Sequence, residues 1–240
     1  MDRVTRVVSL LPRGPVGFEE VYALQKRLEG DVRAGGPERL LLLEHRDVIT
    51  MGRNADRGDL HVTPESLAAR GIELVTTDRG GKLTFHGPGQ LVAYPILDLS
   101  RGEADVRRYV RRLEEALILT AADFGVLAER SPVPARWSSI WVGNEKLAAI
   151  GVHLSRWVTT HGAALNVSTD LSRFSLFVPC GIRDGGVTSL ARCLAPAAPP
   201  GVPAVAEAFV RRFGEVFERR TEPDGGPVAP AEEALAGREA

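Results

Sequence analysis

The sequence predicts an α+β domain in which helices flank a mixed or antiparallel central sheet, and three observations predict it. Apolar runs of strand length cluster between helical segments without strict alternation, which disfavours a regular βαβ series. Gly and Pro split those runs at the places where strands would turn. Two longer stretches, 103–124 and 204–220, repeat their apolar residues at helical spacing.

Taken in order, 17–30 (GFEEVYALQKRLEG) places Phe18, Val21, Tyr22 and Leu28 on one helical face, with Gly30 as the expected stop. ERLLLLEH (38–45) reads as a strand, and VITMG (48–52) as its hairpin partner across Arg46–Asp47. PESLAARG (64–71) is a short helix with Pro at its start and Gly after its end. IELVTTD (72–78), GKLTFHG (81–87) and QLVAYPILDL (90–99) read as three strands. In 103–124, Val106, Tyr109, Val110, Leu113, Leu117 and Thr120 form one face, and Gly125 ends the helix. RWSSIWVGNEKLAAIGVHL carries a two-residue Gly143–Asn144 hairpin turn, and VTTHGAALNVS (158–168) is a further strand. Residues 1–220 are expected to form one domain; 221–240 is polar and breaker-rich and is expected to be a mobile tail.

Composition narrows the function classes. With 240 residues, 44% of them apolar, the chain can bury a core, and a formal net charge of −1 offers no broad attraction to nucleic acid or an anionic membrane. No apolar run approaches the ~18 residues of a membrane span. The opening MDRVTRVVSLLPRGP is short in apolar residues and interrupted by charge, a poor secretory signal. Two cysteines, Cys180 and Cys193, make no disulfide framework, so a reducing cytoplasm is the expected location. Those cysteines and the scattered His45, His61, His86, His153 and His161 match no close-spaced zinc pattern, so no metal is expected. The default expectation is a monomer without cofactor.

Three segments spend Gly, His and charge inside strand-like runs. DRGGKLTFHGPGQL (78–91) lets the backbone approach a ligand closely, and its N–H groups suit a carbonyl or thioester oxygen; taken alone it reads equally as a glycine-rich hairpin. It lacks the Gly-Lys-Ser/Thr ending of a P-loop. In GNEKLAAIG (143–151), Lys146 follows the turn, and the small residues after it suit an alkyl slot or the packing of a helix; a lysine there is ordinarily solvated. In THGAALNVSTDLSRFSLFVPCGI (160–182), Cys180 sits between Pro179 and Gly181, a setting for an accessible thiol, although a lone cysteine is more often buried packing. Cys193, in LARCLAP, reads as packing.

Together RGGKLTFHGPGQ, EKLAAIG, THGAALNV and VPCGI resemble the lipoyl(octanoyl) transferases, the octanoyl-acyl-carrier-protein:protein N-octanoyltransferases of lipoate biosynthesis. The likeness runs from about Leu41 to Leu190, some three fifths of the chain. It implies the α+β fold shared with biotin and lipoate protein ligases. It makes Cys180 the acyl-thioester nucleophile and Lys146 the residue that lowers its pKa. It makes Arg79, Gly80, Gly81, Lys82, Leu83, Thr84, Phe85 and His86, then Ala149, Ile150 and Gly151, then Gly162, Ala163 and Ala164 the substrate-binding stretches. Phe85 departs from the tyrosine more often found there. The implied donor is octanoyl-acyl carrier protein. The implied acceptors are lysines on the lipoyl domains of 2-oxoacid dehydrogenase complexes and on the glycine cleavage H protein. On this reading Leu83, Ala149, Ile150 and Ala163 line the acyl slot, and N–H groups near Cys180 or Gly80–Gly81 hold the oxyanion. An ATP-dependent ligase of the same fold would not need Cys180. A cysteine hydrolase would lean on a histidine more than on Lys146, and a carrier-binding module would form no covalent adduct.

Overall fold

A computed structural model describes residues 3–131, 138–178 and 185–225. Among the described residues a nine-stranded mixed sheet runs β12-β1-β2-β6-β10-β9-β8-β7, with β11 also paired to β9. Its strands are β1 Arg3–Ser9, β2 Glu38–Leu43, β6 Gln90–Ile96, β7 Glu129–Arg130, β8 Ser139–Val142, β9 Glu145–Ser155, β10 Val158–Asn166, β11 Gly186–Val187 and β12 Arg219–Pro223. A smaller sheet packs beside it in the order β4-β3-β5, from β3 Val48–Met51, β4 Glu73–Thr76 and β5 Leu83–His86. β2, β6, β10, β9 and β8 pair antiparallel, whereas β1 lies parallel to both β2 and β12.

Among the described residues five α-helices cover these sheets: α1 Phe18–Arg33, α2 Pro64–Ala69, α3 Val106–Asp123, α4 Leu190–Leu194 and α5 Val202–Phe217. α3 and α5 bury Leu113, Leu117, Phe209 and Phe213 against one face of the large sheet. α1 buries Val21, Leu24, Leu28 and Val32 against Leu41, Leu43, Val92 and Ala164 on the other. The small sheet and α2 form a third cluster around Ile49, Leu67, Leu83 and Phe85. Local chemistry sets the helix ends. The Asp105 carboxylate caps α3 by accepting from the Arg107 and Arg108 N–H groups at 2.8 and 3.1 Å. At its other end Gly125 adopts φ +78°, and the Val126 N–H reaches back to the Ala121 carbonyl.

Three expectations change, and one strand is new. VITMG does not pair with ERLLLLEH: β3 belongs to the small sheet, because the chain at His45 leaves the large sheet after a bridge to Val16 instead of turning back. α1 runs past Gly30 to Arg33, since Val32 extends its buried stripe by another turn. The opening residues 3–9 form a strand. The ordered chain also extends beyond 220: β12 pairs with β1, and Arg219, its side chain fully buried, donates to Glu38 and Glu103 at 2.8 and 2.6 Å. The part of the expected tail from 226 onward lies outside the described residues.

Candidate active site

A cavity of about 210 Å³ lies between β9–β10 and the segment 79–86 that crosses above them. Its floor follows from strand register. Ala149 pairs with Ala164 and Gly151 with Gly162, so four small residues share one face. Ile150 and Ala163 pair on the opposite face, where both join the α3–α5 core, and only their edges line the cavity.

Simple alternation along β9 would turn Lys146 toward that core as well, since Ala148 and Ile150 point there. A β-bulge prevents it. β8 pairs Ile140 with Ala148 but Trp141 with Lys146, so Leu147 is the extra residue. Leu147 drops fully into the core, and Lys146 turns to the cavity. There it is 5% exposed, with Nζ 5.5 Å from the Trp141 ring centroid. No carboxylate pairs with this ammonium among the described residues. A lysine after a tight turn is ordinarily solvated, so this burial is the site's most informative feature.

The covering segment is held by a buried arginine. Arg79 Nη2 donates to the Thr50 carbonyl and to Thr50 Oγ1, both at 2.7 Å, and Nη1 donates to the Gly80 carbonyl at 3.0 Å. Backbone bonds from Gly52, Arg53 and Asn54 to Lys82, Arg79 and Gly81 complete the clasp. Gly81 makes the turn at φ +86°, a conformation that side chains resist. The Gly80 N–H donates to the Val152 carbonyl at 3.0 Å, so it is not available to an oxyanion; Gly81 retains an N–H without an acceptor among the described residues.

Period-two alternation sorts the rest of this segment. Lys82, Thr84 and His86 line the cavity, whereas Leu83 and Phe85 point away into the third core cluster, less than 2% exposed. Leu83 is therefore not a slot residue, and neither Leu83 nor Phe85 touches the cavity. Arg79, Gly80, Gly81, Lys82, Thr84, His86, Lys146, Ala149, Ile150, Gly151, Gly162, Ala163 and Ala164 all line it. Cys180 lies outside the described residues.

The cavity also has walls that motif reading missed: Phe18, Asn54, Tyr94, Ser138 and Ser139. Phe18 carried only the signal of an apolar helix face. Tyr94 sits in an apolar run whose alternation identifies a floor-facing position only once the sheet order is known.

His161 also lines the cavity, through an unusual backbone. It adopts φ +57° within β10, beyond the Ala163–Ala93 pair at which the ladder to β6 ends. Its own N–H turns to Gln25 Oε1 at 2.7 Å, and its ring Nε2 bonds Asp78 Oδ1 at 2.7 Å. Asp78 is held well below the usual carboxylate range: burial alone would raise it, but hydrogen bonds from His161 and Lys26 outweigh that. Burial holds the neighbouring histidines toward their neutral forms. His45 is lowered to about 4, and His86 lies well below its ordinary value. Among the described residues no cluster of ligands suited to a metal ion occurs, and no helix is long and apolar enough to cross a membrane.

Comparison with known proteins agrees with this architecture. A family model described as the lipoyl protein ligase A/B catalytic domain matches residues 18–214. Solved structures share the fold. Lipoate-protein ligase A bound with ATP superposes with a TM-score of 0.78 at 18% identity, covering 99% of this chain and 93% of that one. A bipartite lipoate protein ligase from Thermoplasma acidophilum gives 0.72 at 17% identity, covering 98% and 90%. Fold and site thus define a catalytic domain of the lipoyl protein ligase A/B class. More similar in sequence are three octanoyltransferases. That of Solibacter usitatus is 47% identical over 85% of this chain and 90% of its own length. That of Chloroflexus aurantiacus is 47% identical over 88% and 95%. That of Myxococcus xanthus is 46% identical over 88% of this chain, which spans 60% of the longer relative. The chain belongs to the octanoyltransferases, acyltransferases of lipoate biosynthesis.

Proposed function

We propose that the protein takes an octanoyl group from acyl carrier protein onto Cys180 and passes it to a lysine ε-amine on lipoyl domains. These would be the domains of 2-oxoacid dehydrogenase complexes and the glycine cleavage H protein, and a lipoyl group is the alternative cargo. The observation that carries this reading is Lys146: an ammonium buried at the cavity wall without a carboxylate among the described residues, beside a floor of small side chains. Such a cation suits a partner that becomes anionic during the reaction, and the Cys180 thiolate is that partner. The Thermoplasma bipartite ligase, described together with its E2 lipoyl domain as a lipoylation system, supports acceptors of the same kind.

Direct aminolysis is hampered because the acceptor amine is protonated at neutral pH, with an ordinary pKa near ~10.4. A covalent relay divides the task. The Cys180 thiolate attacks the thioester carbonyl. The new C–S bond forms as the bond to the carrier sulfur breaks, and Lys146 gives a proton to the departing thiolate. Lys146, now neutral, takes a proton from the incoming lysine ammonium. The freed amine attacks the Cys180 thioester, the C–N bond forms, and Cys180 leaves as thiolate while one proton passes to solvent. The Gly81 N–H suits the oxyanion of either tetrahedral state. Burial of an eight-carbon chain over Ala149, Gly151, Gly162 and Ala164 contributes roughly 5 kcal/mol before ordering costs.

The test is intact-protein mass spectrometry after incubation with octanoyl-acyl carrier protein. An adduct on Cys180 that is released by hydroxylamine and lost in Cys180→Ala supports the relay. Binding without an adduct, or ligation that requires ATP and survives Cys180→Ser, contradicts it.

A further inference from the structure

A buried chain of amides joins two polar walls of the cavity, and its polarity can be read from its ends. The Thr188 carbonyl takes a hydrogen bond from the Asn166 side chain at 2.9 Å, and a carbonyl only accepts. The Asn166 atom facing it is therefore Nδ2, which leaves Oδ1 facing Gln90 at 2.9 Å. The Gln90 atom in that contact also faces the Phe85 carbonyl at 3.2 Å, so it is Nε2 with both hydrogens engaged. Gln90 Oε1 then faces His86 Nδ1 at 2.7 Å, and Nδ1 must carry the ring proton. Two backbone carbonyls dictate this direction, so it does not depend on which amide atom is named oxygen. At the far end, the Thr188 N–H donates to the Lys146 carbonyl at 2.9 Å, and Val187 pairs with Lys146 across β11 and β9. His86, Gln90 and Asn166 are 6%, 2% and 4% exposed.

We infer that Gln90 and Asn166 form a positioning relay for acyl transfer, locking His86 in its Nδ1–H tautomer and fixing the backbone that carries Lys146. His86 Nε2, which has no partner among the described residues, is left as a hydrogen-bond acceptor in the wall of the cavity. Burial supports this by keeping the ring neutral, with His45 adding to the effect. An acceptor fixed in this wall recognises an N–H group. Resting on the proposed transfer, that group is the amine of the incoming lysine.

The test uses the full-length ¹⁵N-labelled protein. Long-range ¹H–¹⁵N correlation of the histidine rings, with His86 assigned by its loss in His86→Gln, is expected to show a single Nδ1–H tautomer. Asn166→Ala is expected to give mixed tautomers. It should lower kcat for transfer tenfold or more while moving KM for octanoyl-acyl carrier protein by less than twofold. Asn166→Ser, too short to span the gap, is expected to behave alike. An Nε2–H tautomer in the unmodified protein overturns the inference, as does a kcat within twofold of normal in a folded Asn166 variant. If neither variant folds, the tautomer of the unmodified protein decides. Failure of the acyl-enzyme reading shows separately, as an unmodified protein without a Cys180 adduct, and leaves the tautomer result standing.

Discussion

Replacing Lys146 by Met separates the cost of a buried ammonium from its use. Met keeps an unbranched stem in a position that is 5% exposed and removes the charge. The native ammonium gains about 0.5–2 kcal/mol from the Trp141 ring at 5.5 Å, but loses several kcal/mol of hydration without a carboxylate beside it among the described residues. A net gain of about 1–2 kcal/mol is expected for Lys146→Met, a rise of roughly 2–8 °C in melting temperature for a domain of this size. Transfer should collapse. A thiol of pKa ~8.5 is about 3% thiolate at pH 7, and lowering it by ~2 units, worth about 2.7 kcal/mol, makes it mostly thiolate. Losing that activation costs about 25-fold, and losing the proton carrier about 10²–10⁴ more. Calorimetry reads the first effect. Iodoacetamide alkylation of Cys180 against pH, in a Cys193→Ser background, reads the second. A Lys146→Met protein that melts well below the parent, or that keeps its alkylation profile and more than a tenth of its transfer rate, refutes the reasoning.

Other outcomes follow from the same geometry. His45 is fully buried, and its pKa is lowered to about 4, so between pH 4 and 6.5 the unfolded chain binds more protons than the folded one. Stability should therefore fall by roughly 3 kcal/mol as pH drops from 7 to 4, read as urea midpoints, and His45→Gln should flatten that slope. Gly162→Ala places a Cβ 2.2 Å from the Ala93 carbonyl oxygen and 2.7 Å from the Pro95 ring, in the middle of the sheet. A loss of about 3 kcal/mol or more is expected in denaturant titration; an unchanged midpoint would contradict the β6–β10 packing. Cys193→Ser should retain full transfer, because Cys193 lies on α4 beside Thr188 and outside the cavity. Truncation after Gly225 should leave the melting temperature unchanged. Truncation after Glu218 should lower it sharply, since it deletes the buried Arg219 and the Asp224 N–H bond to Val7.

Much of this was legible in the chain because local chemistry and tertiary role agreed. The apolar period of α3 and its Gly125 end are read without a fold, whereas its start at Asp105, two residues inside the expected 103–124, is seen only in the structure. The Gly143–Asn144 turn, where Gly143 takes φ +57°, is likewise read without a fold. The glycine-rich and small-residue motifs led to most of the cavity wall, because close backbone approach requires those residue types. What escaped depends on partners distant in sequence. β1 and β12 carry charges and complete the sheet edge only by pairing across the whole chain. Leu83 belonged to a motif stretch, yet the pleat turns it to the opposite side. The bulge at Leu147 leaves no mark in sequence, because a single unpaired residue is visible only against the register of β8. His161 could be suspected from its setting, but its positive φ lies beyond the last β6–β10 pair, Ala163–Ala93, and is visible only in the fold.

The proposed transfer needs an ammonium that serves a sulfur, and the separation of the two tests it most directly. A crystal structure of the unacylated enzyme is predicted to place Lys146 Nζ within about 4 Å of Cys180 Sγ, close enough to favour the thiolate. Sγ on another face of the molecule, beyond the reach of any side-chain rotation of Lys146, would contradict it.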